Sequence, residues 1–556
     1  MPTLSDASVR IRSRMRWMLA PLRPERARWM VALGLGASLL FSAPALAAKR
    51  ANVQPELRYL AKVAPSRQET VIVQFRRGVS QAQASRLIRA RHGHRLSVLP
   101  VINGAAATMS AADALALGEQ PSVKAVSINA RVRSAGFIPE LGGDYPLANL
   151  VSTYPSAVSA PQAWFQGATG AGVGVAVIDS GIDGNLGDFA SVTFHAGGHS
   201  WPGTVTGSRV VESAVVNPGA SDATDPYGHG TFVAGVLAGN GDTLNPSDPN
   251  YGNYIGVAPN ANLISVKVGD DQGNATELDV INGIEFAIQH KSDYNIRAIN
   301  LSLQSDTPQS YLTDPLDAAA ESAWMNGIVV VAAAGNQGNT PGAETYAPAN
   351  DPYVITVGAT DTSGTTPVPA SYSSVGMTQD GFSKPDVYAP GSHIVSVLAP
   401  NSAFAAMCPS CAIGGEYIKA SGTSFAAPVV TGAVADLLSL NPNLTPDQVK
   451  AILIATSQPL PNSAAGSINI EAALSNQNAA SSPADQGLTP STLLDGNGNL
   501  IGWNSTSFVP ATGSLAASWA RSSWSCASCT SSTDSEVDPT RSSWSRSSWS
   551  VGTLGN

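Results

Sequence analysis

Four short segments of the chain carry the side chains that acyl transfer requires. Asp179 stands in VAVIDSG, His229 in DPYGHGTFVAG, Asn336 in VVVAAAGNQGN and Ser424 in KASGTSFAAPVV. Each has an ordinary explanation when taken alone: a turn cap, a buried core histidine, a left-handed asparagine turn, and a serine capping a helix. Together they form a chemical set. A serine hydroxyl is a weak nucleophile near neutral pH and needs a base within hydrogen-bond reach. That base needs a carboxylate to fix its tautomer, and the tetrahedral intermediate needs donors for its oxyanion. In this set His229 is the base and Asp179 its orienter. The Asn336 side chain and the Ser424 backbone N–H are the oxyanion donors. The glycines flanking His229 and Ser424 let backbone and substrate approach closely.

The elements that must position these residues are legible from about residue 158 onward. Short, almost wholly apolar runs (VGVAVIDSGI, NLISVKV, IRAINLSL, GIVVVAAAG, YVITVGAT) alternate with helical segments such as TFVAGVLAG, DVINGIEFAIQH and PLDAAAESAWMNG. Continuous apolar strands alternating with helices predict a parallel sheet covered on both faces, an α/β architecture. Reactive residues are then expected at the carboxyl ends of strands. Asp179 and Asn336 end strands, and Ser424 opens a helix. An α/β-hydrolase elbow fits worse, because it requires Gly-x-Ser-x-Gly and a later histidine. Ala426 fills the last glycine position, and no histidine follows His393. Ser180, beside the proposed carboxylate, lacks the preceding glycine of a chymotrypsin-type nucleophile.

With these segments in the order Asp, His, Ser, residues 158–478 resemble the subtilisin-like serine proteases, the subtilase family. The stretches GVAPNANLISVKV, INLSL and AAGN match its motifs as well. The resemblance implies a three-layer fold around a central parallel sheet and a secreted endopeptidase acting on extended protein or peptide chains. It implies that Leu301, Ser302 and Leu303 pair with the substrate backbone. It also implies that Ala333, Ala334 and Gly335 line the pocket for the side chain before the scissile bond. Gln304 and Ser305 replace glycines common in the family. ETYAPAN, with its Glu344, obscures the far wall, so an apolar or aromatic preference is only a leaning. No cofactor is required and no catalytic metal is implied. Some relatives bind a structural calcium ion in a loop like the one from Asp242 to Asn250, where Asp242, Asn245, Asp248 and Asn250 offer hard oxygen ligands but are equally ordinary turn residues.

At 556 residues the chain exceeds what one core serves. Residues 1–47 read as a signal peptide: seven arginines between Arg10 and Arg28, a short apolar run, then Ala45-Leu46-Ala47. Residues 48–134 alternate strand and helix signals as a small α+β, ferredoxin-like β-α-β-β-α-β unit, with VKAVSINARV as its closing strand. The family resemblance makes this unit an inhibitory propeptide and folding aid, and residues 135–157 a linker with the processing site. Charge agrees: residues 1–134 hold 21 Lys/Arg against 6 Asp/Glu, and the remainder 10 against 34, so the two parts attract. Only 13% of residues are charged, which argues against a nucleic-acid partner. A monomer is expected.

Beyond the 158–478 catalytic domain, residues 479–556 form a Ser- and Trp-rich tail repeating RSSWS. It is either disordered or a surface-binding array built on Trp519, Trp524, Trp544 and Trp549. Cys408/Cys411 and Cys526/Cys529 predict disulfides, local or between the pairs, in an exported chain. The rival function is an inactive protein of the same fold, adhering to a cell surface through this tail.

Overall fold

The structure, a computed structural model, describes residues 51–134, 153–482 and 484–494, apart from 192–193, 197–198, 204–206, 242–253 and 363–365. The signal peptide, nearly all of the 135–157 linker, the candidate calcium loop and the tryptophan repeats lie outside the described residues.

Seven strands run parallel in the order Val210–Val215, Asn262–Lys267, Gly174–Asp179, Ile296–Leu301, Val329–Ala333, Ile355–Asp361 and Val387–Pro390, and the two-residue strand Val368–Pro369 adds on antiparallel. Their sequences lack a polar alternation because both faces are covered. Every residue of Gly174–Asp179 is buried. Each Val or Ile so enclosed contributes roughly 1.5–3 kcal/mol relative to exposure, and a charge placed at Ala176 would break the layer. The chain starts in the middle of this sheet at Gly174–Asp179, runs to the edge strand Val210–Val215, returns inward to Asn262–Lys267, then crosses to the other side and builds outward from Ile296–Leu301. The reversal falls at Gly174–Asp179, so the end of that strand lies at the topological switch point where such sheets bind ligands.

Helices Glu277–Gln289 and Pro315–Met325 pack together, each against strands of the sheet, while His229–Ala238 and Thr423–Leu440 pack against each other. Thr423–Leu440 also crosses Ile296–Leu301, Val329–Ala333 and Ile355–Asp361. It has 18 residues and a mean hydropathy of 1.4, enough by length and composition to cross a membrane, yet 89% of it is buried in the protein. It is the core helix of a three-layer α/β fold.

The N-terminal unit is a five-stranded sheet in the order Asn52–Val53, Val123–Ile128, Gln68–Phe75, Gly104–Ser110, His94–Leu99. Ser80 and Ser110 cap its helices Gln81–Arg89 and Ala111–Gly118, as their position before each amphipathic run predicts. Strand alternation gives the sheet two working faces. Val71, Val73 and Phe75 enter the unit's own core, while Ile72 joins the large core of the following domain, together with Ala106 and Ala125.

VKAVSINARV is not one strand. It breaks at Asn129 and Ala130, and Arg131–Ser134 leaves the sheet to pair elsewhere. The break has a structural cause. Asn129 Oδ1 accepts from Leu278 N (2.8 Å) and Ala130 O from Glu277 N (2.9 Å), so the chain caps the Glu277–Gln289 helix as it turns away. Cys408 bonds Cys411, the local alternative of the two disulfide patterns.

Candidate active site

His229 and Asp179 meet where the sheet topology reverses. Asp179 is the last residue of its strand and His229 the first of its helix, and Nδ1 lies 2.7 Å from Oδ1 with both side chains buried. The helix must come very close to the strand for this. A Cβ on Gly230 would lie 2.1 Å from Gly181 O, so only glycine fits. The helix start is held by Asp225, whose carboxylate accepts from Gly228 N, Thr231 N and Ser180 Oγ, each at 2.8 Å. Ser180 Oγ in turn accepts from Gly230 N at 2.9 Å. Burial raises the Asp225 carboxyl above its usual range, and these hydrogen bonds oppose the shift. Asp225 was not singled out from sequence. Its signal was an acid ahead of a helix start, and its consequence is to fix the histidine helix on the aspartate strand. Ser180 is a link in that scaffold.

Ser424 is the second residue of Thr423–Leu440, with Gly422 at the cap position, so its side chain does not cap the helix. The Pro428 four residues on explains its setting. Proline has no N–H, so the Ser424 carbonyl lacks its intrahelical donor. Ser302 Oγ supplies that donor at 2.7 Å, and Ser424 Oγ donates to Ser302 O at 3.2 Å. Behind them Asn300 Nδ2 donates to Ser302 Oγ (2.9 Å), and Thr431 Oγ1 reaches Asn300 Oδ1 (2.8 Å). The hydroxyl therefore points to the Leu301–Leu303 segment, and His229 Nε2 has no hydrogen-bond partner among the described residues. Such contacts often close only when a substrate is in place.

Asn336 adjoins this helix start. Its Oδ1 accepts from Thr423 N and Thr423 Oγ1, each at 3.0 Å, and Thr423 Oγ1 accepts from Gly335 N at 3.1 Å. The asparagine satisfies an orphan N–H of the helix, and the threonine holds the amide with Nδ2 as the outward donor end.

The sequence placed substrate pairing at Leu301, Ser302 and Leu303. In the structure Leu301 ends a strand of the central sheet with its side chain in the core, and Leu303–Ser305 forms a separate short strand. Ser134 pairs with Leu303, Arg133 with Gln304 and Val132 with Ser305. On the other side Val132 pairs with Ala275 and Arg131 with Thr276. The chain's own Arg131–Ser134 thus lies as the middle strand of an antiparallel triplet that ends beside Ser302.

A model of the subtilase family, Peptidase S8, matches residues 170–488. This chain belongs to the subtilase family. It is 39% identical over 298 residues to serine protease AprX of Bacillus subtilis strain 168, covering 51% of this chain and 61% of AprX. It is 34% identical over 415 residues to subtilisin NAT of Bacillus subtilis subsp. natto, covering 73% of this chain and 91% of that protein. Fervidolysin from Fervidobacterium pennivorans, a keratinolytic enzyme related to subtilisin, shares the fold with a TM-score of 0.54 and 24% identity, over 74% of this chain and 62% of that one. The chain therefore spans about three fifths of two of these relatives. By family it is a subtilisin-like serine endopeptidase, and an inactive adhesin finds no support.

Within this subtilase a pocket of about 330 Å³ opens beside Ser134, lined by Gln304, Ser305, Asp306, Asn336, Gln337 and Tyr346. Ala333 and Ala334 are fully buried behind it. Gly335 has φ +102°, and a Cβ there would lie 2.6 Å from Gln337 Oε1 and 2.7 Å from Gln304 Oε1, so those side chains pack onto the bare backbone. Ser374 Oγ donates to Gln337 Oε1 (2.7 Å) and Gln337 Nε2 to Gln304 Oε1 (3.3 Å), leaving the buried Gln304 Nε2 without an acceptor among the described residues. Glu344 does not line this pocket. It is buried, and that burial pushes its carboxyl up to about 8, while Tyr346 is the ETYAPAN residue that lines the pocket. Among the described residues no three His, Cys, Asp or Glu side chains gather as a metal site.

Proposed function

We propose that the chain is a secreted, self-processing zymogen whose triad is Asp179, His229 and Ser424, with Asn336 as oxyanion donor. The leader of residues 1–47 supports export. The observation that carries the reading is the seating of Arg131–Ser134 between Leu303–Ser305 and Ala275–Thr276, which makes the end of the 48–134 unit a substrate mimic held by β-augmentation. Residues 48–134 act as the inhibitory propeptide. The first bonds after Ser134, in the 135–157 linker, are those presented for cutting. Residues 158–478 carry the catalysis, and the tail from 479 onward is a candidate tether to a cell surface.

In this mechanism Ser424 Oγ leaves Ser302 O, passes its proton to His229 Nε2 and bonds to the scissile carbonyl carbon. Asp179 holds the imidazolium through Nδ1. The oxyanion takes Asn336 Nδ2 and the Ser424 N–H at the positive end of the helix. Collapse breaks the C–N bond as His229 returns the proton to the leaving amine. Water, deprotonated by His229, then frees the acyl-enzyme. Substrates are extended segments of proteins, and none of these steps calls for a metal or cofactor. A structural calcium ion at Asp242 to Asn250 would act on stability alone.

A fluorophosphonate label with mass spectrometry tests this reading. The expected result is modification at Ser424 on a species whose N-terminus lies within residues 135–157, and no label in Ser424→Ala. Label on another serine would overturn the assignment.

A further inference from the structure

The segment that follows the catalytic core touches two bodies at once. Toward the catalytic domain, Ser491 N donates to both carboxylate oxygens of Glu321 (2.7 and 3.0 Å). Thr492 N (2.9 Å) and Oγ1 (2.6 Å) donate to Leu312 O. Toward the N-terminal unit, Gln74 Nε2 donates to Leu493 O, and Lys124 Nζ to Leu494 O at 3.2 Å. Leu493 is 1% and Leu494 4% exposed, and Leu493 belongs to the same apolar cluster as Ile72, Ala106 and Ala125 on the face of the N-terminal sheet. Gln74, on that face of its strand beside Ile72, is itself 1% exposed. A buried amide needs a partner, and its Nε2 finds one in a carbonyl more than four hundred residues away. The family match ends at residue 488, just before these contacts begin.

We propose that residues 489–494 form an interaction surface whose partner is the excised propeptide: a clasp, anchored on Glu321 and Leu312, that retains residues 48–134 after the linker is cut. This rests on the reading of that unit as a propeptide. Burial of the two leucines and the Gln74 and Lys124 hydrogen bonds raise its residence time, so loss of the clasp frees the active site sooner.

The test compares three otherwise native chains: full length, ending at residue 494, and ending at residue 488. Gels follow linker cutting while a peptide substrate follows activity. The expected result is equal cutting in all three, equal lags in the first two, and a lag shortened on the order of tenfold in the chain ending at 488. If that chain fails to fold, Gln74→Met with Lys124→Ala in the full chain decides, since neither residue touches the catalytic machinery. The pair should shorten the lag severalfold in the full chain. Where the chain ending at 488 does fold, the pair should have no further effect in it. Equal lags for chains ending at 494 and 488, or no effect of the double variant, would overturn the clasp and leave the propeptide reading standing. Full activity before any cutting would overturn both.

Discussion

Thr423 and Asn336 bond each other twice, through Thr423 N and Thr423 Oγ1 to one carbonyl oxygen, both at 3.0 Å. In the proposed mechanism the residue before the nucleophile therefore sets the direction of the oxyanion donor. Asn336→Ala should lower kcat by about 10²–10³ with KM nearly unchanged. Thr423→Val keeps the shape but loses the hydroxyl, and should cost about tenfold in kcat, with Thr423→Ser restoring it. Equal losses in KM would contradict a role confined to the transition state.

The Asp179–His229 contact of 2.7 Å predicts a second outcome. Asp179→Asn, matured in trans, should lose on the order of 10⁴ in kcat, because the amide favours the wrong imidazole tautomer. A loss below tenfold, measured by steady-state hydrolysis, would remove Asp179 from the triad.

Asp225 accepts three buried hydrogen bonds at the histidine helix, and so it acts on position and stability together. Asp225→Ala should destabilise the protein by about 2–4 kcal/mol. Chemical denaturation of the Ser424→Ala background measures this without self-digestion.

Gln304 Nε2, without an acceptor among the described residues, predicts specificity. For the residue before the scissile bond, side chains carrying an acceptor should be preferred over aliphatic ones of equal size by about tenfold, since the latter leave the donor buried and unpaired. Gln304→Leu should reverse this order in a peptide library varied at that position.

Glu285 lies on the Glu277–Gln289 helix beneath the propeptide turn at Val101, bonded by Gln289 Nε2 at 2.8 Å, and burial pushes its carboxyl to about 8. If residues 48–134 are a propeptide that leaves after cutting, its departure is expected to re-expose the group and return it toward its ordinary value of 4.5. The complex then binds the extra proton, so propeptide affinity is full below about pH 4.5 and falls as pH rises toward 8. Retention of the cut propeptide should drop at least tenfold from pH 5 to pH 8. Glu285→Gln should flatten the profile, and an unchanged profile in that variant would locate the pH dependence elsewhere.

The sequence by itself determined the alternating apolar strands and helices, and with them a parallel sheet with Asp179 at a strand end; Asn336, expected at another, lies in the loop three residues beyond Ala333. Those features are local: apolar runs, strand length and helix caps are read within a window of a dozen residues. It also offered Asp179, His229, Asn336 and Ser424 as a candidate set, because together they fill the roles acyl transfer needs and their segments resemble the subtilase motifs in chain order. What only the tertiary structure decided depends on pairing between distant segments. The pairing of Arg131–Ser134 with Leu303–Ser305 and Ala275–Thr276, away from the sheet it was expected to close, rests on backbone hydrogen bonds, which carry no side-chain signature. The role of Asp225 needed the helix and strand brought within contact. The meaning of Pro428 needed Ser302 beside it, since a missing N–H becomes an opportunity only when another donor arrives from across the fold.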